Sequence, residues 1–204
     1  MEAEKNLTEK ESLELITRMI NTAKTTISDD GIHYMIWGWG VFIAAILHYG
    51  LLKTGFEQPW ISWMVLMPLC GVAAWITGRR QSRQAKVKTF VEEYLSYLWI
   101  AFGISLFLII NFSNQIGMET TYPIIMVLYG IGTFVSGGAL RFMPLKAGGI
   151  VCWVLAFIAF RTAFEYQLLL IAAAVLAAYI IPGYLLRKKY HHEKKLMSST
   201  SINS

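Results

Sequence analysis

The chain has 204 residues, of which 55% are hydrophobic, 14% aromatic and only 15% charged, with a formal net charge of +5. A soluble domain carries roughly a quarter charged residues, so this composition points to lipid. It excludes a soluble catalytic domain, because no polar stretch here reaches the roughly 40 residues below which a core needs staples or partners.

Residues 1–30 are polar and hold seven acids, so the chain is expected to carry no cleavable N-terminal signal. Within them Thr8-Glu9-Lys10-Glu11 has the spacing of a capping box. The apolar positions that follow, Leu13, Ile16, Ile20, Ala23 and Ile27, step by three and four, which makes one stripe of an amphipathic helix. Glu14 and Arg18 are spaced to pair on its polar side, and Asp29-Asp30-Gly31 ends it. Its charges from Glu9 to Lys24 sum to zero, whereas helices that lie on membranes carry surplus Lys and Arg. The stripe Leu13, Ile16, Ile20 and Ile27 is therefore expected to meet protein: its own bundle, a second copy in a homo-oligomer, or a cytoplasmic protein partner.

Six apolar blocks follow, at about 34–52, 60–77, 94–112, 122–140, 147–160 and 168–186, the fifth being the shortest. A helix needs about 20 apolar residues to cross the hydrocarbon, and spanning helices satisfy every backbone group internally. No block alternates as a barrel strand would. The expected fold is all-α: a polytopic membrane bundle of six spans in three hairpins (31–187), the cytoplasmic amphipathic helix before it (1–30), and a disordered basic tail after it (188–204).

Sixteen of the eighteen Lys and Arg fall on one side of these spans, leaving only Lys53 and Arg161 on the other. By the positive-inside rule both termini are expected in the cytoplasm. The basic loops then serve insertion and anionic headgroups of the lipid bilayer, and no nucleic-acid role is needed to explain them.

In the first span, HYMIWGWGVFIAAILHY, His33 and His48 stand about 22 Å apart along a helix axis. They belong to opposite faces of the bilayer, and no other span holds a histidine to complete a haem site. Tyr34, Trp37 and Trp39 at one end and Tyr49, Trp60 and Trp63 at the other read as interfacial belts. The stretch ESLELITRMINTAK together with WGWGVFIAAILHY resembles the start of a group of small uncharacterised bacterial six-span inner-membrane proteins. That likeness covers residues 11–49 and the span pattern; it implies a bacterial inner-membrane location and brings no catalytic or binding motif.

Span 4 carries small residues four apart, Gly132 with Ser136 and Thr133 with Gly137, and span 6 repeats the device with Ala173 and Ala177, and Ala174 and Ala178. Such pairs let helices approach closely. Pro68 and Pro182 are expected to kink their spans. Shifting spans 1 and 2 by 62 residues superposes Trp37 on Trp99 and Arg79 on Arg141, a weak sign of duplicated hairpins. At the turn after span 5, Arg161 and Glu165 are spaced as a polar pair. No acid, base or histidine stands mid-span, no buried nucleophile has a base beside it, and His191-His192 lacks further ligands. The sequence thus offers no catalytic or metal residues and calls for no cofactor. It favours a regulatory or scaffolding membrane protein acting through its N-terminal helix. A small transporter or channel for an apolar or amphipathic solute is the alternative.

Overall fold

A computed structural model describes residues 31–84 and 90–202. The expected contact stripe Leu13, Ile16, Ile20 and Ile27 lies outside the described residues. The elements run α1 (Ile32–Lys53), α2 (Ile61–Gln84), α3 (Phe90–Asn111), α4 (Ser113–Ile116), α5 (Met118–Ala139), α6 (Met143–Ala159), α7 (Phe164–Val175), a π-helical turn (Leu176–Ile180) and α8 (Ile181–Ile202). Among the described residues there is no strand, as the blocky hydropathy requires. Five stretches are long and apolar enough to cross a membrane: α1, Ile61–Arg80 of α2, α3, α5, and Phe164–His192, which joins α7 to α8. The chain therefore has the make-up of a helical membrane bundle. Its remaining apolar helix, α6, has 17 residues and is shorter.

The centre is built by α1, α5, α6 and the α7–π–α8 rod, whose facing side chains Val41, Met126, Leu145, Leu168, Ile171 and Val175 are all buried. The three sequential hairpins are each packed, α1 on α2, α3 on α5, and α6 on α7. The closest pair is α5 with α6. Their connection is tight because Arg141 takes a left-handed φ of 50° and Phe142 N–H reaches back to Gly137 O at 2.9 Å, closing the end of α5. Arg79, its counterpart in the 62-residue shift, lies inside the continuous α2, so the two hairpins end differently.

Small residues set the close approaches. A Cβ on Gly137 would stand 2.6 Å from the Lys146 backbone N, and one on Gly148 would stand 2.6 Å from the Ala178 Cα. Ala174 and Ala178 form the buried face of the rod, both at 0% exposure, whereas Ala173 is exposed and Ala177 only half-buried. Of the two alanine pairs in span 6 the second faces α6, because a four-residue ladder one position earlier is turned about 100° round the helix. Gly132 looks toward Trp99 and Phe102 of α3 at ordinary contact distance. Ser136 is buried beside Gly132 and Gly137, and its hydroxyl meets no partner among the described residues.

Pro182 is accommodated by a change of winding. The π turn lies immediately before it, and Ile181 N–H bonds to Leu176 O, five residues back. Proline brings no N–H to the ladder, and a local π register is one way a helix absorbs that loss. Beyond Pro182 the helix runs on to Ile202. Residues 188–202 are thus a continuation of the last helix and not a disordered tail. The stretch from Leu185 to Met197 contains neither Gly nor Pro and is rich in Lys and Leu, which lose little freedom in a helix.

Candidate functional site

The end of the bundle that holds Lys53 gathers polar groups from four helices. His48 on α1 is 3% exposed. Trp63 on α2 donates its indole N–H to His48 Nδ1 at 2.7 Å, and the Tyr122 hydroxyl of α5 lies 3.4 Å from the same nitrogen. With Nδ1 accepting, the neutral imidazole carries its proton on Nε2. Phe164 of α7 closes the group, its ring 5.9 Å from His48 and 5.5 Å from Tyr122. The belt reading therefore divides. Trp37, Trp39 and Trp60 are exposed to the surroundings, whereas Tyr34 is buried and Trp63 turns inward to His48. A buried indole N–H needs an acceptor, and histidine one helix away supplies it.

Gln167 is the second polar member. It precedes the apolar block 168–186, yet α7 already starts at Phe164, and Gln167 is 1% exposed. Its Nε2 lies 2.7 Å from Glu119 O and 3.0 Å from both Ala159 O and Thr162 O, so its two N–H groups serve three carbonyls, one of them shared. The first of these has a plain cause. Pro123 sits one turn after Glu119 in α5 and has no N–H to give it, so the side chain of Gln167 takes the place of the missing helical donor. Of the other two, Thr162 O lies in the connection after α6, past the last helical donors, while Ala159 O also accepts the Thr162 N–H at 3.0 Å. One amide thus joins α5, α6 and α7.

At the rim, Lys53 Nζ pairs with Glu165 Oε2 at 2.5 Å, flanked by the rings of Tyr49 and Tyr166, each 5.7 Å away. The Arg161–Glu165 pair drawn from spacing is not formed. Arg161 lies over Phe157, 4.2 Å from its centroid, and bonds Phe157 O. Four connecting residues, 160–163, separate α6 from α7, so Arg161 and Glu165 do not share one helical face, while Lys53 ends α1 directly beside Glu165. Both partners of the ion pair are substantially exposed, so their surroundings screen it.

Deeper in the bundle the rings of Tyr34, Trp99, Phe102, Tyr129 and Tyr179 pack edge to edge or tilted, 5.1 to 6.2 Å apart. Thr133 bonds Tyr129 O at 2.8 Å, the ordinary self-satisfaction of a hydroxyl in a span. Among the described residues no group of three or more His, Cys, Asp or Glu could hold a metal ion. Cys152 is buried against Ala174 O, and Cys70 packs under Gly40. The contacts of His48 with Trp63, of Gln167 with Glu119 O and of Lys53 with Glu165 each join two helices.

Gln167 and His48 are the residues that reading the sequence missed as organisers. The available signal for Gln167 was a lone amide opening an apolar run in a chain that also places Pro123 inside a span. Comparisons with known proteins add no name: no protein-family model, no curated protein and no solved structure matches the chain.

Proposed function

We propose that the chain is a non-catalytic integral membrane protein with a regulatory or scaffolding role, making its contact with another protein through the helix of residues 1–30. The observation that carries this reading is the filled centre of the bundle. Met126, Leu145, Leu168 and Ile171 occupy the axis between α1, α5, α6 and α7, and beside them the Trp63 indole N–H and the Gln167 amide N–H bond from helix to helix. What stays distinctive is the neutral apolar stripe at the N-terminus. Changing Ile16 and Ile20 together to Asp should abolish a co-purifying partner or self-association while expression and membrane insertion persist. If the double variant fails to accumulate in the membrane, the helix belongs to the bundle's own packing and the reading falls.

Six crossings of a bacterial inner membrane, both termini cytoplasmic, complete the proposal. Its support is the sixteen-to-two partition of Lys and Arg and the likeness of residues 11–49. The fifth crossing asks most of α6, whose 17 residues reach about 25 Å against a hydrocarbon core of roughly 30 Å. With Cys70 and Cys152 removed, a cysteine at Gln115 should be modified from outside intact cells and one at Ser82 should be spared. The reverse pattern would overturn the topology.

The alternative, passage of an apolar or amphipathic solute, has one observation in its favour: α2 and α3 stand apart and leave the side of the bundle open. Uptake of such a solute into vesicles holding the purified protein, unaffected by loss of residues 1–28, would move the assignment there.

A further inference from the structure

The hydrogen bonds between α1 and α2 differ in what a proton can do to them. Ser62 Oγ of α2 donates to Ala44 O at 3.1 Å, and Cys70 Sγ points to Ile36 O at 3.7 Å. Both acceptors are backbone carbonyls, which lie outside the titratable groups. The bond from the Trp63 indole to His48 Nδ1, 2.7 Å long, ends instead on an imidazole, the side chain that changes charge between about pH 5 and pH 8. With Nε2 already carrying the proton of the neutral ring, a second proton has one place to go: the lone pair that holds Trp63.

Protonation then sets two N–H groups against each other, because an indole nitrogen donates and never accepts. An acceptor for the new Nδ1–H stands on a different helix: the Tyr122 hydroxyl of α5, 3.4 Å from that nitrogen. The remaining groups around His48 leave the exchange to this pair. Phe164, its neighbour on α7, neither accepts nor titrates. Glu165, the next residue of α7, is held by Lys53 of α1, with Tyr49 and Tyr166 flanking the two. Glu119 of α5 is exposed a turn before Tyr122, and Glu57 is exposed in the connection that precedes α2.

The element that answers is α2. Among the described residues its backbone approaches only α1, whereas α1 is also packed on α7, the π turn and α8. Trp63 lies in the first turn of α2, and its ring, 6.0 Å from that of Tyr122, carries α2 across to α5. His48 stands about 7.5 Å along the axis of α1 from Lys53 at the rim, within short reach of water. We propose that His48 is a proton-operated latch on α2: a proton taken up at Nδ1 moves the bond of the histidine from Trp63 of α2 to Tyr122 of α5, and the Lys53 end of α2 comes away from α1. One proton is bound, one indole N–H is freed and no covalent bond changes. On the topology proposed above that end meets external acid; the latch itself rests neither on that topology nor on the role given to residues 1–30.

The test uses the purified full chain in neutral detergent, with Cys70→Ala and Cys152→Ala as background and spin labels on Gly50→Cys of α1 and Val65→Cys of α2, both open positions. Pulsed dipolar spectroscopy reads their separation as the pH falls from about 8 to about 5. A second, longer distance should appear, and its ratio to the short one should rise by up to about tenfold per pH unit, the limit for one bound proton. His48→Asn, whose Oδ1 still accepts from the indole and does not titrate, should keep the short distance throughout. Trp63→Phe, which retains a ring and lacks the N–H, should show the longer distance at both ends of the range. Glu119→Gln with Glu165→Gln should leave the native response in place. Nitrogen-15 spectra of the native chain need no variant: at about pH 8 the His48 proton should sit on Nε2. A native separation that acid does not change, a response that persists in His48→Asn or Trp63→Phe, one that vanishes with the two glutamate substitutions, or a proton on Nδ1 in the spectra would overturn the proposal.

Discussion

Replacing Gln167 with Leu is expected to lower the stability of the bundle by about 3 kcal/mol, although the new side chain is apolar and of similar size. Leaving a buried carbonyl without a donor costs roughly 1–3 kcal/mol, and the loss of Gln167 takes the side-chain donor from Glu119 O and Thr162 O, while Ala159 O keeps the Thr162 N–H. The first is the most exacting, because Pro123 removes its only helical donor. This gives a coupled test. Pro123→Ala returns an N–H to Glu119 O, so the double variant Pro123→Ala, Gln167→Leu should be more stable than the two single losses predict, by about 1 kcal/mol, the net worth of one hydrogen bond. Reversible unfolding in mixed micelles measures all four members of the cycle. Strict additivity would show that Gln167 does not stand in for the proline's missing donor.

Gly137 and Gly132, one small-residue pattern in the sequence, should respond in opposite ways. A Cβ on Gly137 would lie 2.6 Å from the backbone N of Lys146 and 2.8 Å from the Leu145 Cβ, and backbone cannot step aside as a side chain can. Gly137→Leu should therefore force α5 and α6 apart, at a cost of about 3 kcal/mol, the upper range for overpacking a core. Gly132→Ala meets the Phe102 ring at 3.4 Å, an ordinary contact, and gains helix propensity of up to about 1 kcal/mol. It should be neutral or mildly stabilising. Melting temperatures of the two variants beside Gly138→Ala, which faces open space, check the ordering. If Gly137→Leu melts like the native protein, the close α5–α6 approach is not what holds the hairpin.

These two expectations rest on contacts between elements, and the sequence by itself announced the elements far better than the contacts. Hydropathy along the chain sufficed for an all-helical membrane bundle, because long apolar blocks can satisfy their backbone only as helices in lipid. It placed the sequential hairpins and left α6 as the short member for the same reason: length and apolar content are one-dimensional quantities. The small residues at Gly137 and at Ala174 with Ala178 were visible as i, i+4 spacings.

Which of the spacings faced a neighbour was decided only in three dimensions. Ala173 and Ala174 differ by one position and about 100° of helix rotation, enough to send one outward and the other against Cys152 of α6. Likewise Glu165 pairs with Lys53, 112 residues away, and not with nearby Arg161, because helix ends meet by packing and not by sequence distance. His48 and Trp63, read one at a time, looked like markers of a membrane edge; an indole N–H and an imidazole nitrogen become partners only when α1 and α2 bring them to 2.7 Å. The separation of α2 from α3 is the extreme case. Composition makes α2 and α3 equally apolar all round, and only the arrangement of α1, α5 and α7 determines that they are held apart.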